Sequence, residues 1–168
     1  MVVDQNFLKV KKYFLLVIFF LLFASKSYSN NYTFTKIIEL DEPWGSSFIN
    51  NDEIIITEKS GKIKIVNIIS KEVTEIKHNL NFLEVGQGGL LDIIHQDNTL
   101  WISYSEDRGN LKTSTSIAKA QLNKQELNFK NIFQANPPID SGYHFGSRLA
   151  IKDNYIYASA GERGQGMI

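Results

Sequence analysis

The sequence predicts an all-β chain of the β-propeller kind. Three observations predict it. Alternating or β-branched runs recur along the chain, each bounded by Gly, Asn or Asp. No amphipathic helix of ordinary length interrupts them. A unit of small-residue turn, strand, tight turn and second strand occurs three times, spaced roughly 45 and then roughly 55 residues apart.

The first element lies outside this pattern. Lys9, Lys11 and Lys12 precede the unbroken apolar run Tyr13 to Ala24, and small residues follow at Ser27 and Ser29. That is the layout of a secretory signal peptide over residues 1–29, cleaved after Ser29. The run is shorter than the ~20 residues a spanning helix needs, so no stable membrane span is expected after cleavage. The alternative is an uncleaved signal anchor, and either way residues 30–168 are exported.

The stretch "DEIIITEKSGKIKIVNI" reads as two strands joined across Lys59 to Lys62, with glycine in the turn. "NTLWISYSED" places Leu100, Ile102 and Tyr104 on one face and Trp101 and Ser103 on the other. "TSTSIAKAQLN" and "LNFKNIFQA" read as two further strands, and "DNYIYASAGERG" alternates again. The three repeats begin at "PWGSSF", "GQGGLLD" and "YHFGSRL" and turn at Asn51-Asp52, Gln96 to Asn98, and Lys152 to Asn154. Gly45, Gly89 and Gly146 are read as equivalent. In a propeller the first strand of each blade lines the central channel, and its start can carry functional groups. Residues 30–168 amount to about three blades at this spacing, whereas a closed propeller typically needs four to eight. The chain is therefore expected to be a partial propeller, a fragment with open blade faces.

Composition narrows the function. The 168 residues hold 18 basic and 18 acidic side chains. A net charge of zero argues against a broad nucleic-acid binder. There is no cysteine, so disulfide frameworks and thiolate metal sites are excluded. His78, His95 and His144 are too far apart for a histidine-based zinc motif, and no metal ligand is assigned.

Two residues stand out. His144 sits at the mouth of a strand: either a loop histidine with a structural hydrogen bond, or a base. Gln87 lies between Gly86 and Gly88: either a tight-turn residue or a polar contact to a ligand. Arg148 is expected to pair with a carboxylate or carbonyls between blades, and Asp92 to hold backbone N–H groups. Trp44 and Trp101 are expected to pack between blades, with sugar stacking as the alternative. "NYT" from Asn31 to Thr33 matches a glycosylation acceptor, which matters only on a eukaryotic secretory route.

The stretches "PWGSSFINNDEIIITEKSGKIKIV", "VGQGGLLDI" and "HFGSRLAIKDNYIYASAGERG", in this order, resemble the PQQ-dependent soluble aldose (glucose/sorbosone) dehydrogenases. The resemblance runs from about Pro43 to the end and corresponds to the N-terminal half of a family member. It implies a six-bladed propeller exported to the periplasm. It implies oxidation of the C1 hydroxyl of an aldose to the lactone, with hydride transfer to PQQ and onward to an electron acceptor. It places the catalytic base on His144 and a substrate contact on Gln87. PQQ and calcium are the implied cofactors, their main ligands expected beyond residue 168, so the fragment alone is expected to be inactive. Tyr143 departs from the acidic residue of the glucose-specific branch, which points to broader aldose specificity. Two readings stand beside this one: a non-catalytic binding propeller, and a calcium-dependent propeller hydrolase or lactonase with Asp92 as a ligand.

Overall fold

In the computed structural model the described residues are 32–166. The signal-peptide reading, and the Asn31 acceptor, fall outside them. Among the described residues no helix is long and apolar enough to cross a membrane.

Among the described residues eleven strands follow one another without a helix. The first sheet is a meander of β1 (Pro43–Phe48), β2 (Glu53–Glu58), β3 (Ile63–Asn67) and β4 (Val73–His78). β2 and β3 pair Ile55 with Ile65 and Ile54 with Val66, as two β-branched runs across a four-residue turn should. Gly61 holds that turn with φ at 101°. The second sheet is built from β5 (Leu90–Gln96), β6 (Thr99–Asp107), β7 (Thr113–Gln121) and β9 (Lys130–Gln134). A third begins with the hairpin of β10 (Gly146–Lys152) and β11 (Tyr155–Ala160). Asp97-Asn98 and Asp153-Asn154 all have positive φ, so the β5–β6 and β10–β11 hairpins turn through two left-handed residues that Asp and Asn tolerate.

Two elements depart from the sequence reading. β4 carries no clear apolar signal, because only Ile76 of its six residues is buried. "LNFKNIFQA" is not one strand: Glu126 and Leu127 form the short β8, which pairs in parallel with β4 and ties the second sheet back to the first.

The core lies between the first two sheets. Ile55, Ile63, Ile65 and Ile76 meet Leu90, Ile93, Leu100, Ile102 and Tyr104, with Leu127 and Phe129 closing one end. Each such side chain contributes roughly 1.5–3 kcal/mol by leaving water. One carboxylate is buried nearby. Glu106 accepts hydrogen bonds from Ser116 at 2.7 Å, Asn131 at 2.8 Å and Gln134 at 2.7 Å, which offsets its desolvation.

A polar rung joins the first sheet to the second and the second to the third, and its inner half recurs within the third. Thr57 on β2 accepts from the Gly45 amide at 2.9 Å and donates to the Leu91 carbonyl of β5. Ser103 on β6 accepts from the Asp92 amide at 3.0 Å and donates to the Ser147 carbonyl of β10 at 2.7 Å. Ser159 on β11 accepts from the Arg148 amide at 3.0 Å. The register of each first strand also shifts near its start, between Pro43 and Gly45, Leu90 and Ile93, and Gly146 and Leu149. The rungs correct the alignment of the repeats. Gly45 corresponds to Asp92 and Arg148, not to Gly89 and Gly146. Gly89 precedes β5, Gly146 opens β10, and Gly45 lies within β1. The repeat spacing itself holds, and β1, β5 and β10 are the neighbouring first strands of three successive blade-like sheets.

Candidate functional site

The segment leading into β10 is tied down before it reaches the strand. Thr113 and Ile139 exchange two backbone hydrogen bonds at 3.0 Å, fixing the chain beside β7. It then turns back at Gly142 and meets the loop that leads into β5. The Gln87 amide donates to the Gly142 carbonyl at 2.7 Å. Gly86 has φ at 56° and a Cβ there would overlap that carbonyl, so this crossing requires glycine.

Two loops far apart in sequence thereby bring Gln87 to His144. The Gln87 side-chain oxygen accepts the His144 backbone N–H at 2.9 Å. His144 is itself left-handed, φ 47°, a conformation a non-glycine residue holds only where its surroundings over-determine it. Its Nδ1 is hydrogen-bonded to Glu162 Oε1, just past the end of β11. Gly161 lets the two segments approach, because a Cβ there would collide with the His144 carbonyl.

This pairing has chemical consequences. A carboxylate on Nδ1 selects the tautomer with the proton on that nitrogen, so the neutral ring keeps the Nε2 lone pair free. The hydrogen bond from His144 holds the Glu162 carboxyl below its ordinary range, so the carboxylate is charged at neutral pH. His144 keeps 54% of its side chain exposed, which leaves the ring accessible to a substrate. The arrangement is an accessible imidazole with its far nitrogen anchored by an anion, suited to take a proton and stabilise the imidazolium formed.

The other candidates divide cleanly. Asp92 is buried, and its carboxylate accepts from the Leu149 amide at 2.8 Å and the Ile93 amide at 3.1 Å, the backbone role expected of it. Arg148 reaches Asp92 at 3.6 Å, while 84% of its side chain is exposed. His78 binds the Gly61 carbonyl at 2.6 Å and is structural. His95 lies on β5 with its amide on Ser47 at 3.0 Å. Trp101 lines a gap of about 180 Å³ together with Ile151 and Ile156 of the third sheet. Trp44 is half-exposed beside Asp92, Ser147 and Arg148. Among the described residues no three His, Cys, Asp or Glu side chains gather as a metal site. Sequence reasoning gave Glu162 no role. Its one local signal is an acidic residue straight after the glycine that ends an alternating strand.

Comparison with known proteins agrees with the fold. The family model described as glucose/sorbosone dehydrogenase matches residues 40–167. The aldose sugar dehydrogenase YliI of Escherichia coli K12 is 28% identical over 137 residues, covering 76% of this chain and 37% of that protein. A solved glucose dehydrogenase superposes with a TM-score of 0.70 at 27% identity, over 75% of this chain and 42% of that one. The PQQ-bound aldose sugar dehydrogenase of Streptomyces coelicolor gives 0.65 at 21% identity, over 75% and 40%, a likeness of fold. The chain spans just over a third of the length of the curated relatives it matches.

Proposed function

Because the chain belongs to the glucose/sorbosone dehydrogenase family, we propose that the protein carrying it oxidises the C1 hydroxyl of an aldose, with His144 as the base. The observation that supports this best is the constellation of His144, Glu162 and Gln87 at an accessible loop crossing. Nε2 of the neutral imidazole accepts the proton of the C1 hydroxyl as that carbon gives up its hydride. Glu162 stabilises the imidazolium that results, and Gln87 holds the His144 backbone in place. The amide N–H groups of Gln87 remain to meet a sugar hydroxyl without adding charge. PQQ, when bound, would supply the two-electron acceptor for the C1 hydride.

The fit of the described residues to the implied cofactors is uneven. The base and its partners suit the sugar side of such a site. Among the described residues no three His, Cys, Asp or Glu side chains gather to hold calcium, and no residue is assigned to the quinone. The chain spans just over a third of the length of its curated relatives, and we expect the 168 residues expressed alone to show no turnover with PQQ and calcium supplied. We place the full-length protein in the periplasm, on the strength of the signal-like residues 1–29, with an electron acceptor as its second partner.

The test is aldose-dependent reduction of an artificial acceptor by the full-length protein, reconstituted with PQQ and calcium. His144→Ala is expected to lower kcat by about a thousandfold or more, within the range of general-base losses. A folded His144→Ala protein that keeps activity within tenfold of wild type would remove His144 from the base role.

A further inference from the structure

We infer that Arg163 is a positioning residue for His144, locking the segment Ser141–Phe145 in the backbone shape that presents the imidazole to Glu162. The inference rests on the base reading above and adds a residue to it.

Arg163 is only 6% exposed. Its hydrogen bonds go to neutral oxygens. Nε donates to the Tyr143 carbonyl at 3.0 Å, and Nη1 to the Thr113 carbonyl at 3.2 Å. Nη2 donates to Thr113 Oγ1 at 2.6 Å and to the Ser141 carbonyl. The guanidinium carbon lies 3.7 Å from the centroid of the Phe145 ring. One side chain thus grips the carbonyl of the residue before His144 and the ring of the residue after it. The contact is returned, because Ser141 Oγ donates to the Arg163 carbonyl at 2.7 Å. On the far side Thr115 holds the Phe145 carbonyl at 2.7 Å.

Burying a cation among neutral oxygens is a poor route to stability, since an apolar residue of similar volume commonly does as well. What an apolar residue lacks is a planar fork that can reach several carbonyls while lying flat on an aromatic ring. The segment needs such a clamp. His144 has φ at 47° and Arg163 has φ at 61°. Neither conformation suits a non-glycine residue unless fixed by its neighbours. Glu162 is the residue next to Arg163, so the clamp and the anion that orients the ring move as one unit.

The test uses the full-length protein with selectively nitrogen-labelled histidine, and reads the tautomer of His144 by NMR. The His144 signal is assigned by its loss in His144→Gln. The wild type is expected to show the Nδ1–H form. Arg163→Met is expected to show mixed tautomers, and a kcat lower by about tenfold or more with KM within about threefold. Arg163→Lys keeps the charge but not the fork, and is expected to resemble Arg163→Met. If Arg163→Met does not fold, Arg163→Lys carries the test. Wild-type tautomers and kcat within twofold in the folded variants would overturn the inference. So would loss of folding in both, which would make Arg163 a folding residue. The tautomer readout needs no turnover, so it still decides the matter if the base reading fails in the His144→Ala assay.

Discussion

Ser103→Ala removes one oxygen atom and breaks the rung between the second and third sheets. Ser103 is fully buried. Its hydroxyl accepts from the Asp92 amide at 3.0 Å and donates to the Ser147 carbonyl at 2.7 Å. Asp92 and Ser147 are 5% and 4% exposed, so water cannot readily replace the lost partner. Leaving a buried backbone group unpaired costs roughly 1–3 kcal/mol. Two such groups, after partial relaxation, give about 2–4 kcal/mol. With a urea slope of about 2 kcal/mol/M, the midpoint should fall by roughly 1–2 M. The assay is urea unfolding of the full-length protein followed by tryptophan fluorescence, which Trp101 on the same strand reports directly. Ser70→Ala is the control. Ser70 is exposed in the turn between β3 and β4 and accepts one bond, from the Glu72 amide at 3.3 Å. Its loss should cost about 0.5 kcal/mol or less. Equal midpoints for the two variants would refute the view that these hydroxyls join sheet to sheet.

Three further outcomes are expected. Glu162 is held low chiefly by its hydrogen bond to His144, so whatever stability the pair contributes is present above the unfolded value of 4.5 and is lost as pH falls through the lower folded value. Carboxyl NMR titration should show the Glu162 transition move up in His144→Ala. Gly161→Ala drives a Cβ into the His144 carbonyl, which is backbone and cannot rotate away. It should cost about 1–3 kcal/mol in thermal unfolding and abolish turnover. Tyr104 is pushed up to about 12, first by burial and then by the Glu106 carboxylate. Its contribution is therefore present below the unfolded value of 10.0 and lost as pH rises through the folded one. Ultraviolet titration should show one late phenolate that disappears in Tyr104→Phe.

Strands whose residues face the core announced themselves. β2 and β3 carry five isoleucines between them, and β6 sets Leu100, Ile102 and Tyr104 on one face. β4 was silent, because an outer strand with one buried side chain needs no apolar pattern. The bulges were also silent, since a register shift has no composition of its own. At the candidate site, the family resemblance singled out His144 and Gln87, and the structure brings the two together. Glu162 was not legible, because nothing in the sequence says that a carboxylate 18 residues away will fold back onto the ring. Arg163 was hidden for a similar reason. It acts through backbone carbonyls, which every residue has, so its partners leave no trace in side-chain chemistry.

The crossing of the two glycine-bearing loops also sets a timetable. Gln87 leaves the ribosome 57 residues ahead of His144, and Glu162 follows His144 by 18. The first two sheets can pair, pack and bury their isoleucines while the imidazole still has no anion behind it. Only when the β10–β11 hairpin has been made and docked does the imidazole acquire its orientation. The orientation of the imidazole is thus set by the third sheet, and by none of the residues that build the core between the first two.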